Sequence, residues 1–181
     1  MRRQTKHLLV SALVVSAGLA GAVTLAAQGA SRISRGAEIA PVPLNMNGLN
    51  PALVREGSYI VNAQGGCNDC HTVPSYADGG NPFFGQPEVI NAPCYLAGGA
   101  AFGPFVSRNL TVVPQFRTLE QFTDSMRNGT DHRNDATPIL QVMPWPVYGK
   151  MSDRELAAIY EFLKAIPVIN PRPDFCTAPA F

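Results

Sequence analysis

The sequence predicts a small all-α domain of about three main helices and a long Gly/Pro-rich loop. Two observations predict it. Three segments carry helix-start signals ahead of apolar residues at helical spacing, and residues from about 72 to 115, between the first and second of them, are rich in Gly and Pro. The first helix begins at Asn50, since Asn is a good N-cap and Pro51 suits the first helical position. Leu53, Tyr59 and Ile60 supply its apolar contacts, and Gly65-Gly66 end it. Gly57 in its middle costs about 1 kcal/mol relative to Ala; it is a candidate for letting another helix cross closely, with a flexible break as the alternative. The second helix runs from about Leu119 to Asn128. Thr118 with Gln121 fits a capping box, Gly129 is a natural C′ residue, and Leu119, Phe122 and Met126 form an apolar stripe. The third is the clearest. Ser152 with Glu155 makes a capping box, and Met151 and Leu156 occupy the staple positions. Leu156, Ile159, Tyr160 and Leu163 follow helical spacing, and Pro167 stops the helix.

Cys67-Asn68-Asp69-Cys70-His71 lies between the first helix and the long loop. It reads C-x-x-C-H, the attachment pattern for a c-type haem. Two thiols add across the two vinyl groups of one porphyrin, and the two residues between them let both sulfurs reach one edge of the ring. The following imidazole is a usual proximal ligand of haem iron. A zinc site would need four ligands, and Cys94, Cys176 and His132 are scattered with no second close pair. A thioredoxin-like pair would sit near a βαβ pattern, which is missing here. The motif occurs once, so one haem c is expected, taking the place of much of the core. Long unstructured loops are uncommon in compact domains unless functional. Phe83, Phe84, Tyr95, Phe102 and Phe105 are candidates to pack around the ring, with ordinary loop anchoring as the alternative for each.

The 181 residues allow one ordinary domain after processing. Residues 1–30 are expected to be a signal peptide or an N-terminal membrane anchor. Arg2, Arg3 and Lys6 precede the uncharged stretch 8–27, whose 20 residues just suffice for a membrane helix. Either reading exports the domain to the periplasm or the outer face of the cytoplasmic membrane, with a tether through residues 8–27 in the second case. Without Arg2, Arg3 and Lys6, 11 basic residues face 13 acidic ones. No basic stripe exists to neutralise phosphates, which excludes a nucleic-acid partner. Residues 31–49, with Pro41 and Pro43, read as a linker, 50–170 as the haem domain and 171–181 as a tail. In an oxidising compartment the leftover Cys94 and Cys176 are a disulfide candidate, with two buried free thiols as the alternative.

A thioether or a second imidazole would complete the iron's coordination. Met46 lies in the linker, Met126 on an apolar helix face and Met151 at a staple position. Met143 remains, in Gln141-Val142-Met143-Pro144-Trp145-Pro146, where Pro144 biases it toward extended geometry. Met143 is therefore the expected distal ligand. His132, in a polar loop, is the runner-up.

The order C-x-x-C-H, loop, Asn-Leu-Thr, short helix, Met-Pro-Trp and capped last helix resembles class I cytochromes c. Over about residues 50–170 it is similar to the haem modules of the cytochrome c subunits of membrane-bound alcohol, gluconate and aldehyde dehydrogenases. The stretches 103–111 and 143–148 and the helix from Leu156 to Leu163 carry the likeness. The resemblance implies a cytochrome c-like fold, thioethers at Cys67 and Cys70, and His71 and Met143 as axial ligands. It also implies a meeting of Gly57 with Tyr160 at the crossing of first and last helices, and a place for Arg108 and Asn109 near the haem propionates. Two features depart from the family. Those subunits carry three modules and this chain one, and Val112-Val113-Pro114 follows where Pro-Asp is usual. The expected function is electron transfer between redox protein partners rather than catalysis. The alternatives are a haem-bearing subunit of a larger respiratory or photosynthetic membrane complex, and a haem enzyme or gas sensor with a displaceable distal ligand.

Overall fold

The computed structural model describes Gly29 and residues 31–133, 138–170 and 172–177. The apolar segment 8–27 lies outside the described residues. Among those described, no helix is long and apolar enough to cross a membrane.

Residues 31–38 form a helix, α1, where the sequence suggested an unpacked linker. Its contact with the body is made by a residue that periodicity does not register: Gly36 is buried, with the Arg55 backbone carbonyl where a Cβ would sit. Arg32 adds a cation–π contact, its guanidinium 5.9 Å from the Tyr59 ring centroid.

Asn50 starts α2 (Pro51–Tyr59) as expected, accepting from the Ala52 and Leu53 amides at 3.0 and 3.4 Å. The helix continues as a π-helical turn, Ile60–Gln64, closed by the Gly65 amide donating to the Ile60 carbonyl at 2.7 Å. A one-turn helix, α3 (Cys67–His71), follows at once and carries the whole Cys-x-x-Cys-His motif. The long loop contains two 3₁₀ turns, Pro82–Phe84 and Ala92–Cys94, and a minimal hairpin pairing β1 (Ala101–Phe102) with β2 (Phe105–Val106), Phe102 opposite Phe105. Then come α4 (Val113–Phe116), α5 (Leu119–Asn128), α6 (Trp145–Tyr148) and α7 (Asp153–Ala165). Both expected capping boxes form: Thr118 with Gln121, and Ser152 with Glu155. The chain is mostly helical, and the three long helices are those expected.

The core lies where α2 crosses α7. Val54, Ile60 and Val61 pack into one buried cluster with Leu156, Ala158, Ile159, Phe162 and Leu163, joined by Phe122 and Met126 of α5. The close approach at Gly57 is to Ala158 and Phe162 rather than to Tyr160. Tyr160 points elsewhere: its hydroxyl donates to the Arg117 carbonyl at 2.8 Å and its ring lies on Phe122, centroids 5.8 Å apart. Cys94 and Cys176 are joined by a disulfide that ties the C-terminal segment to the long loop.

The loop aromatics divide. Phe102 and Phe105 border the main cavity. Tyr95 is buried in the core against Phe162, its hydroxyl donating to Asn62 Oδ1 at 2.5 Å. Phe83 and Phe84, 80% and 79% exposed, project from the tip of the loop and do not border the cavity. Asn81, which accepts from the Phe83 amide, turns the chain outward there.

Candidate haem site

A cavity of about 520 Å³ opens between the π turn, α3, the β hairpin, α5, the 139–148 loop and α7. Its inner walls are apolar: Ile60 and Val61, Leu110 and Val113, Phe122 and Met126, Ile159 and Leu163. Cys67, Cys70, His71 and Met143 all border it, although 72 residues separate the last two. A largely apolar cleft with a few converging polar groups is the usual form of a cofactor site.

The Cys-x-x-Cys-His side is set by α3. Cys67 and Cys70 are both free thiols. Burial first, then the charges of Cys70 and Asp69, pushes the Cys67 thiol up to about 12, and burial followed by Asp69 raises that of Cys70. The His71 ring is oriented by its Nδ1–H, which donates to the Arg108 carbonyl at 2.8 Å. A carbonyl can only accept, so in the neutral imidazole the lone pair is on Nε2. Burial pushes His71 down from its ordinary value, and the bond to Arg108 only partly opposes that. A neutral ring with its other nitrogen hydrogen-bonded is the state of a metal-ligating histidine.

The residues on either side of Met143 turn sharply. Val142 has φ +70°, and the Met143 amide donates to the Gln141 carbonyl at 2.8 Å, a γ-turn. Pro144, at φ −78° and ψ 51°, makes an inverse γ-turn, with the Trp145 amide donating to the Met143 carbonyl at 2.8 Å. A β-branched residue at positive φ is an outlier, and such conformations cost of order 1–3 kcal/mol. Proline chemistry predicted the stiffness of this loop but not its two reversals. Two side-chain bonds pin the loop: Trp145 Nε1 donates to the Leu140 carbonyl at 3.2 Å, and the Tyr148 hydroxyl to the Gly65 carbonyl at 2.7 Å. The second bond ties the Met143 side of the cavity to the cysteine side. Tyr148→Phe is expected to cost about 1 kcal/mol in urea unfolding; an unchanged midpoint would show that this bond adds nothing.

The other sequence candidates lie as follows. Arg108 borders the cavity and pairs with Asp131. Asn109 does not border it; its Nδ2 donates to the Ile169 carbonyl at 2.6 Å and its Oδ1 accepts from Thr111. His132 does border it, with Nε2 3.0 Å from Asp124 Oδ2. Met126 and Met151 also border it, so proximity alone does not single out Met143. Arg117 and Arg133 were missed. Together with Arg108 they line the cavity, whose one lining carboxylate is Asp131, and Arg133 is pushed down by burial and then by the two neighbouring arginines. Thr130-Asp131-His132-Arg133-Asn134 read as a solvated polar loop. Only the fold, through the Arg117 guanidinium donating to the His132 carbonyl at 2.9 Å, turns residues 130–133 to the cavity.

Comparison with known proteins bears on the same residues. Over 131 residues the chain is 31% identical to the alcohol dehydrogenase (quinone) cytochrome c subunit of Gluconobacter oxydans (strain 621H), covering 68% of this chain and 24% of that protein. The chain is similar to cytochrome c subunits of dehydrogenases. It is 28% identical over 113 residues to the gluconate 2-dehydrogenase cytochrome c subunit of Pantoea cypripedii, 62% of this chain and 23% of that one. The alcohol dehydrogenase (quinone) cytochrome c subunit of Komagataeibacter europaeus is 30% identical over 131 residues, 68% and 25% of the two chains. The chain thus spans about a quarter of the length of the curated relatives it matches. No protein-family profile matches it, and no solved structure does.

Proposed function

We propose that this protein is an exported c-type cytochrome with one covalently bound haem, carrying single electrons between redox protein partners and catalysing no reaction of its own. The observation that carries this reading is the single cavity bordered by Cys67, Cys70, His71 and Met143. The likeness to cytochrome c subunits supports it from a separate direction.

The residues present fit a haem. The walls are apolar, two neutral thiols stand at one edge, and a neutral imidazole has Nε2 available for metal. Three guanidiniums against one carboxylate leave an excess of positive charge at the polar end, suited to a pair of propionates. When bound, the group would supply a one-electron Fe(III)/Fe(II) couple. Cys67 and Cys70 would hold it covalently, and His71, oriented by Arg108, would supply one ligand to its iron. Met143 is assigned as the second because Met126 is buried in the α5 packing and Met151 precedes the capped start of α7. Two protein ligands leave no position open for substrate, and Met/His ligation raises the potential. The γ-turns at Val142 and Pro144 would hold Met143 in place as a ligand.

The relatives are subunits of dehydrogenases, so the favoured partners are the other proteins of a membrane-associated redox complex, outside the cytoplasm. The test is expression in a host with a periplasmic haem-attachment system. Denatured protein is expected to keep haem absorbance and the mass of one haem, and Cys67→Ala/Cys70→Ala is expected to lose haem on acid–solvent extraction. Absence of haem-specific absorbance in the unsubstituted protein would sink the reading.

A further inference from the structure

His71 is held by a two-armed ribbon, one arm at its backbone and the other at its ring. The Gly98 amide donates to the His71 carbonyl at 2.7 Å, and the Arg108 carbonyl accepts from Nδ1. The two arms are bonded to each other: the Gly99 amide to the Ser107 carbonyl at 3.0 Å, and the Leu110 amide to the Leu96 carbonyl at 2.8 Å. Gly98, at φ +74°, is needed there, because a Cβ would lie 2.6 Å from the Arg108 carbonyl oxygen.

Each arm is separately tied to the segment after α7. The first arm follows Cys94, which is bonded to Cys176. The second carries Asn109 and Thr111, which grip both backbone groups of Ile169. Asn109 Nδ2 donates to the Ile169 carbonyl at 2.6 Å, and the Ile169 amide donates to Thr111 Oγ1 at 3.0 Å. Thr111 Oγ1 in turn donates to Asn109 Oδ1 at 2.7 Å. Thr111 is buried and borders no part of the cavity.

We propose that the C-terminal segment is the positioning element for His71: the Asn109–Thr111–Ile169 latch and the Cys94–Cys176 bond hold the two arms that fix, respectively, its imidazole and its backbone carbonyl. This rests on His71 being the proximal ligand. Asn109 and Thr111 are positioning residues acting through the Arg108 carbonyl. A firm Nδ1–H···O bond makes the imidazole a more basic ligand, which favours the oxidised iron. Loosening the latch therefore raises the reduction potential.

The test uses mature, haem-loaded protein in the reduced state, reading solvent exchange of the His71 Nδ1–H by NMR, together with the potential. Thr111→Val is expected to exchange roughly five- to tenfold faster, as for loss of about one hydrogen bond, with a raised potential and unchanged exchange at the Leu163 amide in α7. Thr111→Ser, which keeps the hydroxyl, should match the parent. Since Thr111→Val can fail to fold, cleavage of the Cys94–Cys176 bond in mature protein with a phosphine gives a second arm with the same expected signs. Unchanged exchange and potential in a haem-loaded protein would overturn this inference alone. A parent with no covalent haem, seen first in its spectrum, would overturn the underlying reading as well.

Discussion

Met143→Ala is expected to abolish the weak sulfur-to-iron charge-transfer band at the red end of the oxidised spectrum and to lower the reduction potential. The drop should be a sizeable part of the about 0.8 V over which axial ligands set haem potentials. The substitution removes a thioether from a wall already fixed by the Trp145–Leu140 and Tyr148–Gly65 bonds, so the loop has little freedom to bring another side chain in its place. His132 borders the same cavity, but its Nε2 faces Asp124 and its backbone is held by Arg117. The reduced variant should bind carbon monoxide rapidly at neutral pH, while the parent should not. Fast binding by the parent would instead favour a displaceable ligand and a gas-binding or enzymatic role. Retention of the red band in the variant would return the assignment to Met126 or Met151, the other thioethers at the cavity.

What the sequence made legible was whatever depends on neighbours in the chain. Caps are such features: Asn50, Thr118 and Ser152 act on amides two or three residues on, and all three form. The Cys-x-x-Cys-His unit is another, since one short helix presents it whole. Gly57 is a middle case. Its lack of a side chain signalled a close crossing, but which residue of α7 it meets depends on the rotation of that helix, and Ala158 takes the place expected for Tyr160. What stayed hidden depends on contacts far apart in sequence. Asn109 reads as one of a pair with Arg108, yet their side chains go to different partners. Arg108 faces the cavity and Asn109 faces Ile169, 60 residues on. The α1 helix was hidden for a similar reason, because its docking uses Gly36 and an Arg55 carbonyl rather than an apolar stripe.

Gly57→Ala sets two opposing effects against each other, and the geometry decides between them. Alanine is the better helix former by about 1 kcal/mol, which favours the variant. Against it, a Cβ at this position would overlap the Ala158 carbonyl oxygen, lie 2.6 Å from its carbon, and come within 2.8 Å of Phe162 Cβ. Two of these obstacles are backbone, so no rotamer change relieves them. Overpacking of a closed core costs about 1–3 kcal/mol and sometimes more, and this contact is at the severe end. A net loss of about 2 kcal/mol is expected, or roughly 4–8 °C in melting temperature for a chain of this size. Ala158→Gly should not rescue it, because the obstruction is the Ala158 carbonyl and not its methyl group. The effect should also reach the site. The helix that must yield carries Ile159 and Leu163, two walls of the cavity. Haem-loaded Gly57→Ala should therefore lose the red charge-transfer band on heating earlier than the parent, by about the same interval as its unfolding. An unchanged melting temperature would mean that α2 and α7 cross less tightly than Gly57 implies.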